Sequence, residues 1–236
     1  MNRGNGRATV FFDSTDYAAL VELIGDACRR LPMRVLAFCL MPNHFHLSLC
    51  PHEDGDLGRW MQWLLTSHVR RHHRRHRGSG HVWQGRLLPI AVRATRLDHG
   101  PLVAGEKAFP AQSDWHLLSV LRYIERNPLR AKLVKRAEQW PWSSLGCHNQ
   151  PERGAPNPIA FLSAGPVPRP APRGEPENWL DWVNQPQSEE ELAALRRSAN
   201  RGTPPGSEDW SRRIAEQLGL ESTLRPRGRP RKEPEK

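Results

Sequence analysis

Residues 33–50 read MRVLAFCLMPNHFHLSLC, and the pattern of this stretch decides the fold. Its first half, 33–41, is almost wholly apolar and is bounded by Pro32 and Pro42, which indicates a buried strand. In the second half, 44–50, polar and apolar residues alternate with the period of two that is typical of a strand. This second predicted strand therefore has one face that carries polar groups and one face that belongs to the core.

Helical patterns flank these two predicted strands. Residues 13–16 offer N-caps for an amphipathic helix that continues to about residue 31. A second helix is predicted over 57–77, with strongly basic C-terminal turns, and a third over 114–127, where Pro128 stops it. The alternation of helices with strands favours an α/β or α+β sandwich.

Three other segments before residue 114 have predictions of their own. Residues 9–12, TVFF, are predicted to form a short strand remnant. Residues 87–94 form a candidate strand that Pro89 interrupts, and 95–113 are predicted to be an irregular loop. The sequence shows no internal repeat.

The distribution of proline divides the chain. Of 22 prolines, 14 lie after residue 150, whereas the hydrophobic runs are concentrated before it. Capping residues predict two further helices, one after Ser188 with Glu191 and one after Ser207. The predicted organisation is a folded domain at 8–150, a Pro-rich linker at 151–186, a small helical accessory segment at 187–220 and a partly disordered basic tail at 221–236.

The composition favours a polyanionic partner inside the cell. The formal net charge is +10 and the pI is about 10.3. A surface this basic favours nucleic acid first and an anionic membrane second, although charge alone leaves an ordinary basic protein open. The four cysteines form no Cys-x-x-Cys pair, which is typical of reduced cytosolic thiols. No stretch approaches the ~20 apolar residues of a spanning helix, so we expect a cytoplasmic protein with no membrane partner.

Two histidines on the second predicted strand indicate a metal site. His44 and His46 are two residues apart, so their imidazoles lie side by side on one strand face, while Phe45 anchors the strand in the core. Such a pair is a workable bidentate metal platform. The alternative is a pair of surface histidines on a half-exposed strand.

A tyrosine on the third predicted helix is a candidate nucleophile. Tyr123 and Asn127 lie one helical turn apart on the same face, so a phenol lies beside an amide oxygen that can serve as a third metal ligand. The unperturbed pKa of tyrosine, about 10, makes it a poor nucleophile at neutral pH. A neighbouring divalent cation would stabilise the charge and polarise a scissile phosphate. The alternative is that Tyr123 is an ordinary core residue.

Four blocks in order carry a resemblance to a known family. They are MPNHFHL at 41–47, GHVWQGR at 80–86, HLLSVLRYIERNPLRAKLV at 116–134 and WPWSSL at 140–145. Together they resemble the REP-associated tyrosine transposases, which are IS200-like single-tyrosine transposases of the HUH single-strand nuclease superfamily. The resemblance covers roughly residues 9–148.

The resemblance implies a fold, a reaction and a set of site residues. The fold is an α+β, ferredoxin-like antiparallel sheet with helices packed on one face. His44 and His46 match the metal-binding histidines, Tyr123 matches the nucleophile, and Asn127 matches the polar residue that completes the metal site. The implied reaction cleaves and rejoins single-stranded DNA at hairpin, REP-like sequences through a 5′-phosphotyrosine. The imidazole ligands alone would also suit zinc as the bound metal. The resemblance favours Mg²⁺ or Mn²⁺ instead.

Basic residues are expected to hold this DNA. One arginine stripe recurs every four residues beside Tyr123, a second patch lies at the C-terminal end of the 57–77 helix, and an AT-hook-like tail follows residue 220. The predicted DNA contacts are Arg70, Arg71, Arg74, Arg75, Arg122, Arg126, Arg130, Arg227, Arg229 and Arg231. Solvated helix faces and a non-specific tail are the alternatives. We expect single-stranded and hairpin DNA as partners and association with the nucleoid, with monomer or homodimer left open.

Two departures from the family pattern keep other functions open. The strand that usually precedes the segment at 3–5 is expected to be missing, and 87–108 contains an apparent insertion. Either departure leaves room for a catalytically inactive DNA-binding protein that retains the fold. A metal-dependent hydrolase that uses His44 and His46 with water is a third hypothesis, and in it Tyr123 would be dispensable.

Overall fold

The computed structural model has a three-stranded antiparallel sheet covered by helices, which confirms the predicted α+β class. The residues that it describes are 1–53, 55–84, 114–149, 161–162, 178–201, 203–204, 206–217 and 220–224. The predicted strand at 87–94, the loop at 95–113 and the tail arginines Arg227, Arg229 and Arg231 lie outside these residues. None of the described helices is both long and apolar enough to cross a membrane.

The sheet has the strand order β1-β3-β2. β2 (Met33–Met41) and β3 (His44–Pro51) form the predicted strand pair, with Met41 opposite His44. The expectation of a missing first strand is wrong, because β1 (Asn2–Arg3) pairs antiparallel with the start of β3. A two-residue strand next to a glycine has too little pattern to be visible in the sequence.

Three long helices confirm the predicted ones. They are α1 (Ser14–Arg30), α2 (Asp56–His76) and α3 (Asp114–Glu125). The carboxylate of Asp13 caps α1 by accepting hydrogen bonds from the backbone N–H groups of Thr15 and Asp16. The remaining described helices are α4 (Asn127–Arg130), α5 (Ser144–Asn149), α6 (Trp179–Asn184), α7 (Glu189–Arg201) and α8 (Glu208–Gln217).

Three local expectations need correction. Residues 9–12 are not a strand, because the backbone N–H groups of Val10 and Phe11 both donate to the Pro42 carbonyl in the β2–β3 turn. Pro128 does not simply end a helix; it occupies the first turn of α4, where its missing N–H costs nothing. Finally, α6 lies within the segment predicted as a linker.

Helices cover both faces of the sheet, whereas we expected them on one face. α1 and α2 pack with Phe45, Leu47 and Leu49 in one core cluster. α3 packs on the opposite face, in a second cluster that includes Leu36 and Met41. The reason lies in β2, whose side chains are apolar on both faces and therefore need cover on both.

A buried histidine on α2 leads to a prediction about stability and pH. His68 is 3% exposed and lies among the rings of Phe11 and Trp83. Burial, with a smaller contribution from His72, lowers the pKa of His68 from 6.5 to about 3. The unfolded chain therefore takes up a proton as pH falls through 6.5, while the native state does so only near pH 3. Stability that is present above pH 6.5 is thus lost on acidification.

We expect His68→Phe to reduce this loss. Between pH 7 and pH 5 the free energy of unfolding of the variant should fall less than that of the wild type, by about 2 kcal/mol, since each pKa unit is worth about 1.4 kcal/mol. Urea denaturation at several pH values measures the difference. His81→Gln, at an exposed position, is the control and should follow the wild type. Parallel wild-type and His68→Phe curves would contradict the prediction.

Candidate active site

α3 brings Tyr123 against the polar face of β3. The Tyr123 ring meets the His46 ring edge-on, with centroids 5.8 Å apart and planes at 79°. The rings of His46 and His44 are in turn 5.1 Å apart. Tyr123 is 7% exposed and His46 is 4% exposed, so these two rings are largely buried, and we call the cluster of the three rings the recess. Tyr123 and His46 are therefore adjacent in space, although they are far apart in the sequence.

Both histidines are held in the neutral form, with ring nitrogens available for ligation. Burial, followed by the nearby charges of Arg3 and the N-terminus, lowers the pKa of His44 to about 4. Burial also lowers the pKa of His46 well below its usual value. The His44 Nδ1 bonds to the Asn43 side-chain oxygen at 2.7 Å, so this nitrogen donates and Nε2 keeps its lone pair. Asn43 was not among the predicted site residues, although it directly precedes His44 in the sequence.

A guanidinium lies on the Tyr123 ring. The Arg130 guanidinium carbon is 4.3 Å from the ring centroid, which is cation–π geometry. Arg130 also donates to the Asn127 side-chain oxygen at 2.5 Å, and Asn127 donates to the Tyr123 carbonyl at 2.8 Å. Asn127 thus lies beside Tyr123, one turn further along the chain, as predicted. Its side-chain oxygen, however, is bound to Arg130 in this conformation.

The side chains in the recess fit a divalent cation. His46 Nε2 is buried and has no hydrogen-bond partner among the described residues, which is the environment of a nitrogen kept for a ligand. Two imidazoles and one amide oxygen leave coordination positions for phosphate oxygens. No group of three His, Cys, Asp or Glu side chains with metal-binding geometry occurs in the described part of the chain. A cation at His44 and His46 would therefore depend on Asn127 and on oxygens of a substrate.

Arg122 and Arg126 were expected to contact phosphates, but both are occupied by protein carbonyls. Arg122 is 5% exposed and donates to the carbonyls of Gln185 and Pro186 at 3.0 and 3.2 Å. Arg126 donates to the carbonyls that end α6. The four-residue spacing of these arginines is the same for a phosphate-binding stripe and for a helix-docking stripe, so it could not distinguish the two.

The α2 arginines are exposed, as a DNA-binding surface requires, but they lie on the face of the sheet opposite Tyr123. Arg70, Arg71, Arg74 and Arg75 line a groove of about 570 Å³ between α1 and α2. Two of them are partly neutralised, since Arg71 pairs with Glu22 at 2.7 Å and Arg75 pairs with Asp13 at 2.6 Å.

Comparisons with known proteins agree with the sequence patterns. Residues 1–93 match the family model described as IS200-like transposase, a range that contains both histidines but not Tyr123. A putative REP-associated tyrosine transposase of Haemophilus influenzae is 25% identical over 129 residues, which is 50% of this chain and 62% of that protein. The chain therefore spans less than two thirds of this curated relative.

A solved structure is also similar in part. It is described as a REP-associated tyrosine transposase bound to a REP hairpin, and it is 19% identical with a TM-score of 0.47, covering 71% of this chain and 88% of the other. The resemblance of this chain to the IS200-like transposases is confirmed by the family model over residues 1–93 and by the curated relative.

Proposed function

We propose that this protein is a transposase-type enzyme that cleaves and rejoins single-stranded DNA, with Tyr123 as the nucleophile. The observation that carries the proposal is the contact of the Tyr123 ring with His46, beside His44, in one recess. A phenol, two neutral imidazoles and a guanidinium together match what attack on a phosphodiester needs. They provide a nucleophile, ligands for a cation and a fixed positive charge.

The reaction is a transesterification. The Tyr123 hydroxyl oxygen attacks the scissile phosphorus, a bond forms between them, and the bond from phosphorus to the 3′-oxygen breaks. The phenol loses its proton, and the departing strand end becomes a free 3′-hydroxyl. The products are a 5′-phosphotyrosyl enzyme and that hydroxyl, and attack by a 3′-hydroxyl reverses the step without a high-energy cofactor.

The residues around Tyr123 have distinct roles in this step. Arg130, which already lies on the ring, supplies a fixed positive charge that stabilises the negative charge of the transition state. His44 and His46, with Asn127, would hold Mg²⁺ or Mn²⁺, and the ion would supply Lewis-acid polarisation of the phosphate. Asn127 also fixes the first turn after α3 through its bond to the Tyr123 carbonyl.

The proposed substrate is DNA with a REP-like hairpin. The resemblance to REP-associated transposases and the name of the Haemophilus influenzae relative suggest this substrate. The formal charge of +10 and the exposed α2 arginines support a polyanionic partner. The exposed basic surface is suited to the phosphates of the hairpin stem.

The test is formation of a covalent adduct with a defined strand. The full chain is incubated with Mn²⁺ and a hairpin oligonucleotide with single-stranded flanks, labelled at either the 5′ or the 3′ end. We expect only the 3′-labelled DNA to migrate with the protein on a denaturing gel, and peptide mapping to find the phosphate on Tyr123. Cleavage without an adduct would instead indicate the hydrolase, and binding without cleavage would indicate an inactive DNA-binding protein.

A further inference from the structure

A short segment from the C-terminal half of the chain is seated against the helix that carries Tyr123. This segment, residues 178–187, comprises α6 and the turn that follows it, and we call it the brace. α6 is capped by Asn178, whose side chain accepts from the Asp181 N–H, and it ends at Asn184. Trp182 and Val183 are 1% and 0% exposed, so the brace is packed into the protein.

Arg122 of α3 and Arg126, which directly follows α3, bind carbonyls at the C-terminal end of α6 and just beyond it. The last carbonyls of a helix have no partner within it and carry its negative dipole end. Arg126 donates to the carbonyls of Val183 and Asn184 at 2.9 and 2.5 Å. Arg122 donates to the two carbonyls that follow and lies over the Trp182 ring, 4.7 Å from its centroid. One of these two arginines precedes Tyr123 in the sequence and the other follows it.

A buried carboxylate gives the brace a second attachment to α3. Glu125 is fully buried and accepts from the Trp179 indole N–H at 2.7 Å and from the Ser144 hydroxyl at 2.7 Å. At the other end of α6, the Asn184 side chain accepts from the Ala137 N–H at 2.9 Å. The brace is therefore bonded both to α3 and to the segment at Ala137, and these bonds restrain its movement relative to both.

We propose that the brace, through Arg122 and Arg126, is a positioning element that sets the orientation of α3 and hence of the Tyr123 hydroxyl relative to His44 and His46. The residues at 122, 125 and 126 are bound to it, so one attachment precedes Tyr123 in the sequence and two follow it. A change of about 1 Å in the position of a nucleophile can reduce the rate on the order of 10²-fold. This role rests on the proposed function, but the placement of Tyr123 can be measured without any activity.

Fluorine NMR provides that measurement, because the chain has two tyrosines, Tyr17 and Tyr123. The full chain labelled with 3-fluorotyrosine should give two signals, assigned with Tyr17→Phe. In Arg126→Gln the Tyr123 signal should shift or broaden while the Tyr17 signal stays unchanged, since Tyr17 packs on Trp142 in the other core cluster. Arg212→Gln, an equal change of charge at an exposed site on α8, should alter neither signal.

The activity measurements separate positioning from DNA contact. In Arg126→Gln the rate of adduct formation at saturating DNA should fall on the order of 10²-fold. The KM for DNA and the slope of log affinity against log salt should stay at the wild-type values. A second variant, Trp179→Phe, keeps an aromatic ring but removes the indole N–H that reaches Glu125, together with part of the ring volume. It should change the Tyr123 signal and the rate in the same direction, and it keeps the test decisive if Arg126→Gln fails to fold.

Other results would overturn the proposal. A shallower salt slope and a raised KM would show that Arg126 binds phosphate. An unchanged Tyr123 signal, or a lower melting temperature with an unchanged rate, would show that the brace only adds stability. If the wild type forms no adduct, the proposed function fails, while the fluorine signals still decide whether the brace places Tyr123.

Discussion

Tyr123→Phe is expected to abolish the covalent protein–DNA adduct, with a fall in the rate of strand cleavage of at least about 10⁴-fold, as for loss of the nucleophile in other enzymes. Only the hydroxyl is removed. The phenyl ring retains its edge-on contact with His46 and its place under Arg130. The fold and the affinity for DNA should therefore be close to those of the wild type.

The measurement is the adduct assay with 3′-labelled hairpin DNA, accompanied by thermal unfolding and a DNA-binding titration. Tyr17→Phe is the matched control, since it removes a hydroxyl from the other tyrosine, which is also 7% exposed. That control should form the adduct at the wild-type rate. Cleavage that survives in Tyr123→Phe would refute the assignment of the nucleophile and favour the metal-dependent hydrolase.

His46→Leu is expected to have the second-largest effect, with a fall in the rate of adduct formation of at least about 100-fold at fixed Mn²⁺. Leucine keeps the bulk of the side chain and removes both ring nitrogens. Because His46 Nε2 is buried without a partner among the described residues, its removal should not lower the free energy of unfolding. The variant should be as stable as the wild type or more so, and yet inactive.

Unchanged or higher stability together with loss of activity is the result that distinguishes a metal ligand from a packing residue. Adduct rates across a Mn²⁺ titration and urea denaturation of the metal-free protein measure the two quantities. His52→Gln, at an exposed position at the end of β3, serves as the control and should change neither. An active His46→Leu protein would remove His46 from the proposed metal site, and a strongly destabilised one would show that the ring is needed for packing.

Local periodicity was enough to predict the central elements. β2, β3, α1, α2 and α3 were all predicted, because each has an apolar pattern that repeats along its own length. Local patterns did not predict β1, which has two residues, or α6, which has six residues and follows a proline-rich run. Such short elements form because of the surfaces that they meet, and those surfaces are formed by residues far away in the chain.

The sequence by itself determined which side chains could do chemistry and on which face of its own element each would lie, since His44, His46, Tyr123 and Asn127 follow strand and helix periods. Only the tertiary structure decided which faces meet. It placed Tyr123 against His46, set Arg130 on the ring, and directed Arg122 and Arg126 to the carbonyls of the brace. The reason is that an arginine on a helix has the same local pattern whether it binds a phosphate or a carbonyl. Its partner is chosen by packing between distant segments.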